Sequence, residues 1–168
     1  MKKQLFLEDK IYIAGSTGMA GSAIIRSLKK SGYGKKENRG DLLTPGRKEL
    51  NLLDEYNVKS WFKRNSPDVV ILAAAKVGGI LANSTSPADF ILQNLKIQSN
   101  VIEAAFNCGV RRFLFLGSSC IYPKFAQQPI KEEYLLSNQL ESSNEYYAIA
   151  KIAGIKLCES LRIQYGFD

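Results

Sequence analysis

The chain has 168 residues, of which 45% are hydrophobic and 23% are charged, so we expect one ordered domain with a core and exclude a disordered segment. Its apolar runs are too short to cross a bilayer and no apolar signal core follows Met1-Lys2-Lys3, which predicts a cytoplasmic protein without a membrane partner. The formal net charge is +7, but the densest basic stretch, residues 29–39, lacks regular aromatic interleaving, so we expect a solvated surface and no nucleic-acid partner.

The first half of the chain predicts two strands, each followed by a helix. Residues 10–14 form an apolar strand that ends at a glycine, and residues 19–31 have the spacing of an amphipathic helix. After a polar loop, residues 42–44 predict a short strand, and Asp54 is expected to cap a helix that runs to Arg64. The side chains expected to face the core are Ala20, Ile24, Ile25 and Leu28 in the first helix and Val58, Trp61 and Phe62 in the second.

The second half predicts two buried strands and two long helices. Val69-Val70-Ile71-Leu72 is a fully apolar run, typical of a parallel strand covered on both faces. The later elements are a helix at 87–108, a buried strand at 113–116, a loop at 123–144 with a short helix near Glu132, and a helix at 145–165. The core face of the helix at 87–108 is expected to hold Ile91, Leu95, Gln98, Val101, Ile102 and Ala105. This order predicts an α/β fold with a Rossmann-type, doubly wound parallel sheet.

The turn between the first strand and the first helix carries three glycines spaced as GxxGxxG. Glycine lets the backbone turn tightly and lets a pyrophosphate approach the helix N-terminus, where free N–H groups and the helix dipole favour negative charge. Glycine-rich turns also occur as plain strand-to-helix connections, but this position favours dinucleotide binding. The residues predicted to bind the cofactor here are Gly15, Ser16, Thr17, Gly18, Met19, Ala20 and Gly21.

The end of the second predicted strand bears on the choice of dinucleotide. An acidic residue there would bind the ribose hydroxyls of NAD, but the sequence reads Thr44-Pro45-Gly46-Arg47-Lys48. The guanidinium of Arg47 can hold a 2′-phosphate, so we predict NADP. The alternative is an ordinary exposed basic loop.

Two further segments carry groups that can move a proton. Tyr147 and Lys151 are four residues apart and share a helix face, where the cation is expected to lower the pKa of the phenol. Ser118 follows the fourth predicted strand, at the sheet edge where α/β proteins bind ligands, and its hydroxyl can bond a carbonyl oxygen. Each motif alone also fits an exposed Tyr–Lys pair or a loop start, but their order and separation favour a joint catalytic site.

Four segments together resemble one family closely. They are residues 72–80, residues 87–90, the sequence LGSSCIYPK at residues 116–124, and residues 147–160. They are similar to the GDP-L-fucose synthases, a family of extended short-chain dehydrogenases/reductases. The resemblance covers nearly the whole chain and is most specific from residue 69 to residue 166.

The resemblance implies a GDP-sugar substrate, GDP-4-keto-6-deoxy-mannose, epimerised at C3 and C5 and then reduced at C4 by NADPH. Tyr147 would protonate the C4 oxygen, Ser118 would hydrogen-bond it, and Lys151 would tune Tyr147 and hold the nicotinamide ribose. Cys120 would be an acid/base in the epimerisation, which a thiol of lowered pKa can perform. The resemblance also implies cofactor contacts from Leu116, Gly117, Ser118 and Ser119, and a homodimer joined through the helices at 87–108 and 145–165.

Two differences from the family leave alternatives open. Members are nearly twice as long, so we expect residues 1–168 to be an incomplete NADP-binding domain without most of the substrate-binding lobe. The chain also has no histidine, the expected partner of Cys120, and this fits a non-catalytic nucleotide-binding module or a fragment inactive by itself. A GDP-colitose synthase or another sugar-nucleotide epimerase/dehydratase is the remaining alternative. No metal site is expected, because histidine is absent and the three cysteines have no zinc-like spacing.

Overall fold

Strands and helices alternate along the chain in a computed structural model that describes residues 5–168, apart from the side chain of Lys36. The strands are β1 (Lys10–Ala14), β2 (Asp41–Leu43), β3 (Val69–Leu72) and β4 (Arg112–Phe115). The α-helices are α1 (Met19–Lys30), α2 (Glu55–Asn65), α3 (Ile80–Thr85), α4 (Pro87–Asn107) and α5 (Glu145–Tyr165). Short 3-10 helices occur at Lys36–Asn38, Ser119–Ile121 and Glu132–Tyr134. The predicted α/β class and the short helix near Glu132 are confirmed.

The four strands pair in parallel in the order β2-β1-β3-β4. Ile11 pairs with Leu42 on one side and with Val69 on the other, so β1 lies inside the sheet. The chain leaves β1 for β2 on one side and then crosses back to β3 on the other side. Such a reversal opens a crevice at the carboxyl ends of the strands, where open α/β sheets bind their ligands.

Helices cover both faces of the sheet, which gives it the predicted doubly wound form. On one face, Tyr12 of β1 packs on Trp61 and Phe62 of α2, with ring centroids 4.6 and 5.6 Å from its own. On the other face, Ile11 and Ile13 belong to a cluster that α1 covers. Asp54 caps α2 by accepting a hydrogen bond from the backbone N–H of Asn57 at 3.0 Å, as predicted.

Two burial predictions were wrong. Ala20 is exposed, and the buried position in the first turns of α1 is Gly21, because the helix backbone itself approaches the end of β1. The fourth strand is only partly buried: Leu114 is 49% exposed, whereas Phe113 and Phe115 pack against the main core. Since β4 is the edge strand of the described sheet and α1 covers the face around β1, the α1 side of β4 is left open.

Hydrogen bonds of Asp9 and Asp68 connect the amino ends of the strands. Asp9, which is 5% exposed, accepts two hydrogen bonds of 2.6 Å from the guanidinium of Arg111. The Asp68 carboxylate accepts from the N–H of Lys10 at 2.8 Å, and its backbone carbonyl accepts from the N–H of Arg111 at 2.9 Å. These contacts fix β1, β3 and β4 at the edge opposite the crevice. No helix in the described part of the chain is long and apolar enough to cross a membrane.

Candidate active site

The glycine turn lies at the carboxyl end of β1, against the end of β3. Gly15 has a φ of +84°, and a Cβ on it would come within 2.7 Å of the backbone nitrogen of Ala74. A Cβ on Gly21 would lie 2.1 Å from the carbonyl oxygen of Gly15. Both positions therefore require glycine, and the turn brings the start of α1 directly over the sheet edge.

The N-terminus of α1 is available to an anion. Gly18 is its N-cap, and within residues 5–168 no side chain caps this end. The first turn of α1 contains no acidic residue, so the positive end of the helix dipole is not offset locally. Of the predicted cofactor residues in this turn, Met19 is 91% exposed and Ala20 is also exposed. This arrangement fits the phosphates of a dinucleotide.

A cleft of about 280 Å³ begins at the glycine turn and extends along the ends of β1 and β3. Gly15, Ser16 and Thr17 line this cleft, as does Arg47, which is exposed to solvent. The lining also includes apolar side chains and amides, among them Leu50, Asn51, Leu52, Leu53, Gln93 and Ile97. A cleft that combines the glycine turn and a guanidinium with apolar side chains suits a dinucleotide.

The second cluster of predicted residues begins where β4 ends. Leu116 and Gly117 continue from the strand, and Ser118 precedes the 3-10 helix Ser119–Ile121. This tight turn brings Cys120 back toward Ser118, so that Sγ of Cys120 donates a hydrogen bond of 3.2 Å to Oγ of Ser118. Both side chains are half-buried, whereas Gly117 and Ser119 are exposed.

Helix α5 presents Tyr147 and Lys151 to the same cluster. The side chain of Ser118 lies close enough to Tyr147 to influence its ionisation. The amine of Lys151, only 3% exposed, donates to the carbonyl oxygen of Leu116 at 2.8 Å. Its Nζ also lies 4.7 Å from the ring centroid of Phe115. The structure thus brings all four predicted catalytic side chains together: Ser118, Cys120, Tyr147 and Lys151.

The ionisation of this cluster differs from the prediction. Burial raises the pKa of Tyr147, a negative charge on Cys120 would raise it further, and the polar side chain of Ser118 acts in the opposite direction. The expected lowering by Lys151 was wrong for this structure, because the amine is turned to the Leu116 carbonyl and lies 5.9 Å from the centre of the Tyr147 ring. Burial also lowers the pKa of Lys151, partly offset by Cys120.

The cleft and the cluster lie side by side at one edge of the sheet. The backbone N–H of Ala73 bonds the carbonyl of Ala14, and that of Leu116 bonds the carbonyl of Leu72, so the ends of β1, β3 and β4 are adjacent. The sequence reasoning missed Lys76, which lines the cleft. It also missed Asn94, whose buried amide bonds both the N–H and the carbonyl of Lys76, at 2.8 and 3.0 Å. A polar residue on an otherwise apolar helix face was the available signal.

The described residues contain no cluster of three or more His, Cys, Asp or Glu side chains that could hold a metal ion. The strand order, the glycine turn and the cluster at the carboxyl edge define a Rossmann-type fold. Residues 11–168 match the NAD dependent epimerase/dehydratase family, and the chain belongs to that family.

Relatives within the family are similar over nearly the whole chain. A GDP-L-fucose synthase from Escherichia coli is 56% identical over 163 residues, which cover 96% of this chain and 48% of that protein. A GDP-L-colitose synthase from Yersinia pseudotuberculosis is 39% identical over 150 residues, covering 89% of this chain and 46% of that protein.

A solved structure, a GDP-mannoheptose C4 reductase from Campylobacter jejuni with NADP bound, superimposes with a TM-score of 0.90 at 41% identity. It covers 98% of this chain and 50% of that one. The chain spans about half the length of the curated relatives it matches.

Proposed function

We propose that this chain is the NADP-binding and reductive part of an epimerase-reductase that converts GDP-4-keto-6-deoxy-D-mannose to GDP-L-fucose. The observation that carries the proposal is the cysteine beside the serine–tyrosine pair, with Sγ of Cys120 at 3.2 Å from Oγ of Ser118. Apart from the hydride of the cofactor, the reduction of a ketone needs only an acid for the carbonyl oxygen, whereas epimerisation beside a ketone needs a further group that exchanges carbon-bound protons. The 56% identity to a GDP-L-fucose synthase supports the same substrate.

The cofactor fits the residues that are present. The uncapped α1 terminus and the glycine turn would hold the pyrophosphate, and Arg47 would face the 2′-phosphate of NADP. Leu116, Gly117 and Ser119 would line the nicotinamide end, where Lys151 would meet the ribose. When bound, NADPH supplies the hydride for C4.

The chain's own residues would handle the protons. Because burial raises the pKa of Tyr147, its phenol stays protonated at neutral pH and can donate to the C4 oxygen. Ser118 lies beside Tyr147 and would bond the same oxygen of the substrate. Cys120 would remove and return protons at the carbons that flank the ketone.

Tyr147→Phe tests the reductive role. Its matched control is Tyr146→Phe, which removes the neighbouring hydroxyl of a side chain that is 46% exposed. NADPH oxidation with GDP-4-keto-6-deoxy-mannose is followed for the 168-residue chain and for any longer protein that contains it. We expect Tyr147→Phe to lower kcat at least about a hundredfold, the usual contribution of a general acid. A rate equal to that of the control would refute the assignment.

Cys120→Ser tests the epimerase role separately. In D₂O the unaltered protein is expected to place deuterium at C3 and C5 of the product, and the variant is expected to reduce the ketone with little exchange. Product analysis also distinguishes the colitose alternative, which the lower identity of 39% makes the weaker one. NADPH turnover by the 168-residue chain alone would exclude the non-catalytic alternative.

We also propose a homodimer in the cytoplasm. Apolar side chains lie exposed on both long helices: Leu92 of α4 is 52% exposed, and Ile149 and Ile163 of α5 are 39% and 81% exposed. All three cysteines are free thiols, as expected in a reducing compartment. Sedimentation at micromolar concentration tests the dimer, and Ile163→Lys should shift it to monomer.

A further inference from the structure

Two amide side chains lie buried on α4, one turn apart. Asn94 is 2% exposed and Gln98 is 3% exposed. They hold different parts of the molecule. Asn94 bonds the backbone of Lys76 in the cleft wall, whereas Nε2 of Gln98 donates to the carbonyl oxygen of Ala150 on α5, at 2.7 Å. Gln98 therefore connects α4 to the helix that carries Tyr147 and Lys151.

The carbonyl that Gln98 binds lies in the part of α5 that carries Tyr147 and Lys151. Ala150 directly precedes Lys151 and comes three residues after Tyr147. The Ala150 side chain is fully buried, so this part of α5 cannot shift without repacking its neighbours. A hydrogen bond at this carbonyl sets both how far α5 slides along α4 and how it is rotated.

Gly154 makes the close approach of the helices possible. A Cβ at this position would lie 2.9 Å from Oε1 of Gln98 and 2.6 Å from Cζ of Phe115. The ring of Phe115 is also the surface beneath the Lys151 amine, with Nζ 4.7 Å from its centroid. Gln98, Gly154, Phe115 and Lys151 thus form one contiguous packed group between α4, α5 and the end of β4.

We infer that Gln98 is a positioning residue of the reductive site. Its amide fixes α5 against α4 and so holds the Lys151 amine on the Leu116 carbonyl and over Phe115. The inference rests on the proposed function, in which Lys151 meets the nicotinamide ribose. A shift of about 1 Å in a reacting or binding group can cost about a hundredfold in rate, so the register of this helix matters.

A purely structural role makes a different prediction. If Gln98 only satisfied its own hydrogen bonds in the core, its loss would lower the stability of the fold and leave Lys151 in place. A positioning role requires that the environment of Lys151 changes as well. The titratable groups facing Lys151 are Cys120 and Tyr147, and neither is altered by a substitution at Gln98.

Gln98→Met removes the donor and keeps the length of the side chain. The matched control is Val101→Ala, which truncates a fully buried residue of the main core on the same helix. For each protein, three quantities are measured: the thermal midpoint, the pKa of Lys151 by NMR of chains labelled with [¹³Cε]lysine, and the Kd for NADPH by quenching of Trp61 fluorescence.

We expect Gln98→Met to raise the pKa of Lys151 toward the usual lysine range, because the amine leaves its buried position, and to weaken NADPH binding about tenfold. Val101→Ala should lower the thermal midpoint without either change. Unchanged pKa and Kd values in Gln98→Met would overturn the inference.

Gly154→Ala is the second test if Gln98→Met does not fold. Its Cβ would push against both Gln98 and Phe115, so it should move the pKa of Lys151 in the same direction. An unshifted Lys151 in this variant would also overturn the inference. If the unaltered chain fails to bind NADPH while Lys151 still responds to Gln98→Met, the proposed function fails and the positioning of Lys151 stands.

Discussion

Gly21→Ala is expected to change the free energy of unfolding through two effects of opposite sign. Inside a helix, alanine is more favourable than glycine by about 1 kcal/mol. Here, however, the new Cβ would lie 2.1 Å from the Gly15 carbonyl oxygen, 2.8 Å from its carbon and 3.1 Å from Cα of Ser16. All three are backbone atoms, so no side-chain rotation relieves the overlap. Ordinary contact starts near 3.4 Å, so the start of α1 would have to move away from β1 by more than 1 Å.

Overpacking typically costs about 1–3 kcal/mol, and a backbone contact this short places Gly21→Ala at the upper end. After subtracting the helix term of about 1 kcal/mol, we expect a net loss of about 2 kcal/mol, which for this chain length lowers the thermal midpoint by about 4–8 °C. Fluorescence of Trp61, which is 2% exposed, reports the transition. Gly46→Ala is the control, because its Cβ would meet nothing within 4 Å. A midpoint for Gly21→Ala at or above that of the unaltered protein would refute the steric argument.

Three further predictions concern charged and titratable groups. Arg47→Met should raise the Kd for NADPH about tenfold and change that for NADH little, as titration of each cofactor would show; equal effects on both would contradict a 2′-phosphate contact. Asp9→Asn should cost about 2 kcal/mol in urea unfolding, because the pair with Arg111 is only partly open to solvent, whereas Glu55→Gln at an exposed pair should cost less than about 1 kcal/mol. Burial raises the pKa of Cys158 to about 11, above the value of 9.0 for an unburied thiol, so its contribution to stability is present below pH 9 and is lost as the pH rises toward 11. Cys158→Ala should therefore flatten the fall in stability over that interval, and identical pH profiles would rule this out.

Periodicity and turn chemistry predicted most of the fold, because each element carries its own local signal. β3 is apolar throughout and α2 has both a cap and an apolar face, so neither depends on distant residues. The helix α3 was not predicted, since six residues behind two glycines are too short to show a 3.6-residue period. The partial exposure of β4 was also missed. The run of three apolar residues in β4 predicts a buried strand. Leu114 is exposed only because the strand lies at the edge of the sheet.

For the candidate site, the sequence predicted which residues take part but not which contacts they make. The sequence motifs named Ser118, Tyr147 and Lys151, the family resemblance added Cys120, and the structure brings these side chains together. The sequence placed Gln98 on the core face of its helix but could not assign its partner, because Ala150 lies 52 residues further along the chain. The direction in which the Lys151 amine points was equally beyond local reasoning, since the Leu116 carbonyl that turns it belongs to another element.

The long helices α4 and α5 run side by side in the same direction: Gln98, midway along α4, meets Ala150 in the first half of α5, and Phe106 meets Tyr165 where both helices end. At 21 residues each, they are about 31 Å long. One surface of α5 thus belongs to the site, and Ile163 of the same helix faces outward. If a second copy covers that outer surface, α5 takes part in both dimer assembly and catalysis. Specific activity would then fall on dilution below the dissociation constant of the dimer, and NADPH would bind more tightly to the assembled form.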